Sequence, residues 1–307
     1  MLKITKYQQI TRYQRRKRFE LAPYLFVLPA ILFIILLAII PILYSLVISF
    51  QSYRLGAPDS AIRFNGLDNY IKILSNPTFI GSIGWTFTFA FISVSVNLVL
   101  GLSVALVLNH RVMQKGFKIF RSLFILPLML APVVSAIMWK VLFAAIYGPV
   151  NYVISVLGLP SVSWIGDELP AKIAILVIDI WSSTPFCVLI FLAAFQTIPT
   201  DLIEAARIDG ASKSTILFRI NLPIIRNFIA LIVSIRVMDA LRVFDSVIVF
   251  TNGGPGNSTE TIGTVIYKTA FRYSDIGGGS AGAFIFFVII VAFTLIFLKL
   301  SSRNVEV

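Results

Sequence analysis

Residues 234–245 read SIRVMDALRVFD, and Arg236, Asp239, Arg242 and Asp245 alternate in sign at intervals of three within an otherwise apolar run. An ionised side chain at the centre of a membrane helix costs about 2.5–3.5 kcal/mol, so two or three facing lipid would cost on the order of 5–10 kcal/mol. These groups must therefore face protein or a water-filled cavity. The spacing predicts pairing along one helix: Arg236 with Asp239, Asp239 with Arg242, and Arg242 with Asp245. Such a ladder either neutralises itself as a structural device or lines a pathway, and the spacing admits both. Arg236, Ala240 and Val243, at i, i+4 and i+7, share one helix face.

A second polar group interrupts another apolar run: Asp179, Trp181, Ser182, Ser183, Thr184 and Phe186, with Pro185 predicting a kink among them. Aromatic faces beside hydroxyls and charges suit stacking on a sugar ring with hydrogen bonds to its OH groups, and they suit plain packing equally well. Asn97, in a third run, fits an interhelical hydrogen bond. Asp179, Asp239 and Asp245 leave a carboxylate mechanism formally open, but the sequence has no G-x-x-x-x-G-K-[ST] phosphate loop and no HExxH. His110 is the single histidine, at the edge of an apolar run. Cys187 is the single cysteine and reads as a small packed hydrophobe, so no disulfide or zinc framework forms within the chain.

The elements that must position these residues are membrane helices. Of 307 residues 58% are hydrophobic and only 13% charged, with a mean hydropathy of +0.90, where soluble domains average about 45–50% apolar and about 25% charged. Six apolar runs emerge, at about 23–49, 82–109, 121–144, 171–196, 224–250 and 281–299, each long enough to cross a hydrocarbon core. The expected fold class is an all-α polytopic membrane protein. Residues 1–20 form a basic tail (Lys3, Lys6, Arg12, Arg15, Arg16, Lys17, Arg18), followed by an apolar run too long for a cleaved signal peptide. The net charge of +12 does not indicate nucleic acid, because the basic residues sit in short segments between apolar runs. They concentrate in the N-tail, Arg111–Arg121, Arg207–Arg226 and the C-tail (Lys299, Arg303). The alternate loops hold only Arg54, Arg63, Lys72, Lys268 and Arg272, with Lys140 and Lys172 at helix ends. The positive-inside rule then predicts both termini in the cytoplasm. Short helices are expected at about 67–74 and 261–271 in the outer loops, the latter following the turn-rich NGGPGNS.

The second inner loop, 198–223, reads IPTDLIEAARIDGASKSTILFRINLP. Thr200 is a plausible N-cap, Asp201 and Glu204 suit the positive end of a helix dipole, Gly210 supplies a left-handed helix end, and Ser212 caps a second helix. Pro223 falls at the start of the fifth span, where its missing N–H costs little. Leu202, Ile203, Ala205, Ala206 and Ile208 suit a helix laid into a partner's groove, although a solvated connector remains open.

Glu204-Ala205-Ala206, Asp209-Gly210-Ala211 and Ile220-Asn221-Leu222-Pro223 resemble the EAA loop of permease subunits in binding-protein-dependent ABC importers. WSSTPF (181–186) and FDSVIVFTNGGP (244–255) resemble the MalF/UgpA-like carbohydrate branch, and the likeness extends from about Leu21 to Lys299. It implies a type I importer permease fold within 21–300, in the cytoplasmic (inner) membrane of a prokaryote. It also implies a transport subunit with no ATPase site and no cofactor of its own. The implied partners are a homologous second permease, two ATPase subunits that bind ATP and Mg, an extracytoplasmic solute-binding protein, and a sugar, expected to be a di- or oligosaccharide. In this reading Glu204, Ala205, Ala206, Asp209, Gly210, Ala211, Leu222 and Pro223 couple to the ATPase. Trp181, Ser182, Ser183, Phe186 and the 236/240/243 face, with Asp239 and Arg242, line the pathway. Asp245, Asn252, Gly253, Gly254 and Pro255 form an outer gate or loop. Ala240 and Val243 have no hydrogen-bonding side chain, which leaves Arg236 as the polar candidate. A glycerol-phosphate-type importer, with Arg236 and Arg242 on an anion, and an ion-coupled secondary transporter are the alternatives.

Overall fold

The structure, a computed structural model, describes residues 21–109 and 118–302. The N-tail basic residues, His110, Arg111, Lys115 and Arg303 lie outside the described residues. The described residues are helical without strands, apart from two isolated antiparallel bridges, Gln51 with Phe64 and Arg54 with Asp275. The chain divides into two units, residues 1–48 and 49–307. The described part of the first is an apolar helical stretch: α1 (Leu21–Ile34), a π-helical turn (Ile35–Ile39) and α2 (Ile40–Ser49).

In the second unit a connecting segment with α3 (Asp68–Leu74) leads into α4 (Pro77–Asn109). Then follow α5 (Lys118–Met129), α6 (Pro132–Leu142), α7 (Pro149–Val156) and α8 (Glu168–Phe195). After α8 come three short helices, α9 (Thr200–Ile208), α10 (Lys213–Ile216) and α11 (Leu222–Ile224), with a π-turn at Leu217–Asn221 between the last two. The chain ends with α12 (Arg226–Leu241), α13 (Asp245–Phe250), α14 (Ile262–Tyr267) and α15 (Ile276–Ser302). Among the described residues four helical stretches are singly long and apolar enough to cross a membrane: Leu25–Ser49, α4, α8 and Ile276–Leu295 within α15.

The other two expected spans are interrupted. The run 121–144 breaks between α5 and α6 at Leu130 and Ala131, because Pro132 has no N–H and holds Ala131 in an extended conformation. The run 224–250 is divided twice. The pieces Lys213–Ile224 and Arg226–Leu241 meet at 70° at Ile225, just after Pro223, and residues 242–244 separate α12 from α13.

α4 and α8 form the central pair and run parallel, since Ser93, Asn97 and Gly101 face Asp179, Thr184 and Cys187 in the same order. The two backbones approach closely at Gly101, where an added Cβ would lie 2.6 Å from the Cys187 Cβ. Two apolar clusters flank the polar contacts between these helices. One gathers Phe89, Ile175, Ile178, Val247 and Phe250; the other gathers Ala105, Val188, Phe191, Phe195, Ile198 and Ile225. A third cluster (Ile73, Phe79, Ile262, Val265) seats α14 against α3, α4 and α15.

Candidate functional site

The sequence residues fall in three places along α4. Thr86, near its start, accepts a hydrogen bond from the Ile262 N–H (3.1 Å). Leu108, near its end, packs on the cluster that contains Ile198. At 1.5 Å per residue these levels are about 33 Å apart, so the 251–275 segment and the 198–223 loop occupy opposite ends of the helix pair. The membrane charges lie between them.

Arg236 does not pair with Asp239. Its Nη2 donates to Asp179 Oδ2 on α8 (2.8 Å) and to Ser93 Oγ on α4 (3.3 Å). Ser93 Oγ also donates to the same Asp179 oxygen, and Asn97 Nδ2 donates to Ser93 Oγ (3.2 Å). The Thr184 hydroxyl lies 2.9 Å from Asn97 Oδ1, the interhelical bond expected of Asn97. Arg236 is 4% exposed, so the low dielectric strengthens this charge pair and makes either partner costly to remove. Its Nε is buried without an acceptor among the described residues. The sequence hid this pairing because Asp179 and Arg236 are 57 residues apart. The available signal was that Asp179 has no basic neighbour within a turn of its own helix.

The remaining ladder is shorter than the spacing predicts. Arg242 Nη2 pairs with Asp239 Oδ1 at 3.2 Å, both side chains about half exposed or more. Asp245 cannot continue the row, because the helix ends at Leu241 and Asp245 begins α13. The 236/240/243 face is likewise cut: Ala240 is fully buried, and Val243 lies past the helix end, where its carbonyl accepts from Thr261 Oγ1 (3.0 Å).

On α8 the helix runs through Pro185 as one element. Ser182 Oγ turns back to the Ile178 and Asp179 carbonyls (3.0 and 3.1 Å). Ser183 is partly exposed, and Phe186 packs against the Val188–Phe191 cluster. Trp181 meets Trp139 edge to face at 5.7 Å, and Trp139 continues to Phe143, Trp164 and Phe250. Trp181 therefore belongs to an aromatic packing cluster.

In the loop 198–223, Pro199 rather than Thr200 occupies the N-cap, and Thr200 is the first helical residue. Gly210 sits at φ +81°. The Gly210 and Ala211 N–H groups bond the Arg207 and Ala206 carbonyls (3.1 and 2.9 Å), a Schellman ending. Ser212 caps α10 by accepting from the Thr215 N–H at 3.2 Å. No residue of α9 is buried: Glu204, Ala205 and Asp209 are exposed, Ala206 and Ala211 partly so, and Ile208 is 87% exposed. Leu222 packs on the cluster that contains Ile198 and Ile225, while Pro223 is exposed.

At the other end, Asn252 and Gly253 adopt positive φ (51° and 81°) and turn the chain through Gly254 and Pro255. The turn closes on a buried pair that sequence reasoning missed. Glu260, 2% exposed, binds Lys268 Nζ and the Thr264 hydroxyl, and Lys268 Nζ also donates to the Asn252 carbonyl (2.7 Å). In the sequence, STET looks like polar loop surface.

These arrangements bind, brace and present surfaces, and no group of three or more His, Cys, Asp or Glu capable of holding a metal occurs among the described residues. The fold resembles that in the crystal structure of a bacterial alginate ABC transporter in complex with an alginate pentasaccharide-bound periplasmic protein. The TM-score is 0.82 at 23% identity, covering 93% of this chain and 95% of that one. The trehalose/maltose transport system permease protein MalF of Thermococcus litoralis is 37% identical over 276 residues, which is 90% of this chain and 92% of the relative. The trehalose transport system permease protein SugA of Mycobacterium tuberculosis is 30% identical, over 90% of this chain and 87% of that one. With residues 97–306 matching the model of the binding-protein-dependent transport system inner membrane component, the chain belongs to that family and is an all-α ABC importer permease, a transport subunit rather than an enzyme.

Proposed function

We propose that this permease and a homologous second permease together form the transmembrane pathway for an uncharged sugar, a di- or oligosaccharide, delivered by a solute-binding protein. The observation that carries the substrate class is the 37% identity, over nine-tenths of both chains, to a relative named for trehalose and maltose. The electrostatics favour a neutral ligand over a phosphorylated one. Arg236 is matched by Asp179 and Arg242 by Asp239, so neither arginine offers an uncompensated charge to an anion. Within the pathway, the exposed Asp239–Arg242 pair offers hydrogen-bonding groups to sugar hydroxyls, while Arg236, buried against Asp179, braces the helices behind it. Ser183 and the partly exposed face of α8 form the opposing wall.

The loop 198–223 is the coupling element, on the cytoplasmic side with both termini and the basic tail of residues 1–20. α9 presents Leu202 and Ile208 to a cleft in one of two ATPase subunits, which carry ATP and Mg; the Gly210 ending fixes the angle at which the chain leaves that cleft. ATP-driven closure of the ATPases then moves the helices as rigid bodies. Reconstitution with the partner subunits in proteoliposomes tests both parts. Uptake of trehalose or maltose is expected when liganded binding protein and internal ATP are supplied, and a preference for glycerol phosphate would overturn the substrate class. Ile208→Asp is expected to abolish uptake while leaving membrane insertion intact; wild-type uptake in that variant would remove the coupling assignment.

A further inference from the structure

The segment after the 251–260 turn has one side fully committed to the fold and one side that is not. Ile262 and Val265 are buried in the α14 cluster, and Thr264 and Lys268 hold Glu260. On the other side Tyr267 and Phe271 stand out, 42% and 62% exposed. A π-helical turn, Lys268–Arg272, follows α14 directly, so both rings project from a braced backbone.

The rings form a track. Phe244 lies 5.1 Å from Tyr267, and Tyr267 lies 5.4 Å from Phe271, centroid to centroid. At its inner end Phe244 belongs to the break between α12 and α13, two residues beyond the exposed Asp239–Arg242 pair. At its outer end is a cavity of about 390 Å³ lined by Ile248, Asn252, Tyr267, Lys268, Phe271 and Arg272, within the size range of small-molecule sites. Lys268 is neutralised by Glu260 and serves as wall. Arg272 is exposed and has no acidic partner among the described residues, and Asn252 is exposed at a left-handed turn position. Flat apolar faces joined to amide and guanidinium donors in one concave surface match a sugar. One ring face presents C–H groups to the aromatics, and the edge hydroxyls accept from the polar side chains.

We propose that Tyr267, Phe271, Arg272 and Asn252 form a carbohydrate-stacking subsite at the outer mouth of the pathway, passed along the track to Phe244 before the sugar reaches the membrane charges. The proposal rests on the carbohydrate reading above and adds to it a site outside the spans. The rings act through their faces, so shape and aromaticity matter more than the Tyr267 hydroxyl.

The test uses the complete importer in proteoliposomes, supplied with its binding protein and with trehalose, maltose or maltotriose. A Tyr267→Leu/Phe271→Leu double variant keeps apolar bulk and removes the ring faces; Tyr267→Phe and Phe271→Tyr keep them. Uptake by the double variant is expected to fall about tenfold, and by the aromatic variants to stay within about twofold. Co-purification with the second permease should be unchanged throughout. Wild-type uptake by the double variant would overturn the subsite alone. Loss of co-purification would overturn it too, by making the rings a subunit contact. Failure of the unmodified importer to move any of the three sugars would overturn the carbohydrate reading, and the subsite with it.

Discussion

Gly210 and Gly253 have the same backbone conformation, φ +81°, at opposite ends of the α4–α8 pair, yet their surroundings are opposite. A Cβ added at Gly210 would meet nothing within 4 Å, whereas one added at Gly253 would overlap the Glu260 carboxylate. The difference extends to whole regions. α9 buries no residue, while Thr259, Glu260, Thr261 and Thr264 around the other turn are nearly or fully buried. One end of the molecule leaves α9 largely exposed, the surface proposed above to dock on an ATPase subunit. The other is closed on a buried core of its own, with the rings of Tyr267 and Phe271 on its exposed side. Glycine serves backbone freedom at the first and also close approach at the second.

The sharpest way to break this comparison is Glu260→Ala, which strands the buried Lys268 ammonium and is expected to cost about 3–5 kcal/mol. Thermal unfolding of the purified chain in detergent reads the loss, and an unchanged midpoint would show that the 251–275 end is not held by that pair. Asp179→Ala, which strands Arg236 between α4, α8 and α12, is expected to fall in the same range of about 3–5 kcal/mol. A double-mutant cycle with Arg236→Met should return a large coupling, whereas the half-exposed Asp239–Arg242 pair should couple by no more than about 1 kcal/mol. Next comes the direct comparison of the glycines. Gly210→Ala meets only the left-handed backbone penalty of about 1–2 kcal/mol, while Gly253→Ala adds a clash with Glu260 and should destabilise more; equal shifts in unfolding would erase the distinction. The smallest effect on stability is expected at α9, where Ile208→Asp should lie within about 0.5 kcal/mol of the parent even as uptake is lost.

The legible parts of the chain were those governed by local rules. Apolar runs long enough to span gave the helices; Asp68–Leu74 and Ile262–Tyr267 fall within the short helices expected from periodicity; and Gly210 and Ser212 end and begin helices where turn chemistry places them. The break at 242–244 was not legible, because VF carries no proline or glycine and the Val243 carbonyl is satisfied from Thr261, eighteen residues onward. The ladder misled for the same reason. Spacing along one helix predicts which charges could meet, and Arg242 and Asp239 do meet, but Arg236 finds a carboxylate on another helix in a drier setting. Trp181 shows the limit for aromatics, since the same indole that suits a sugar face packs on Trp139.

The sequence by itself determined that this is a helical membrane protein, that charges within its spans need protein or water around them, and that the loop 198–223 carries the start and stop signals of two short helices. Those conclusions follow from hydrophobicity, solvation cost and backbone propensity, which act residue by residue. Tertiary structure alone decided which charges neutralise each other, where the fifth apolar run breaks, and which rings are left facing outward. These depend on contacts between segments tens of residues apart, where burial and geometry select one partner among several that local spacing allows.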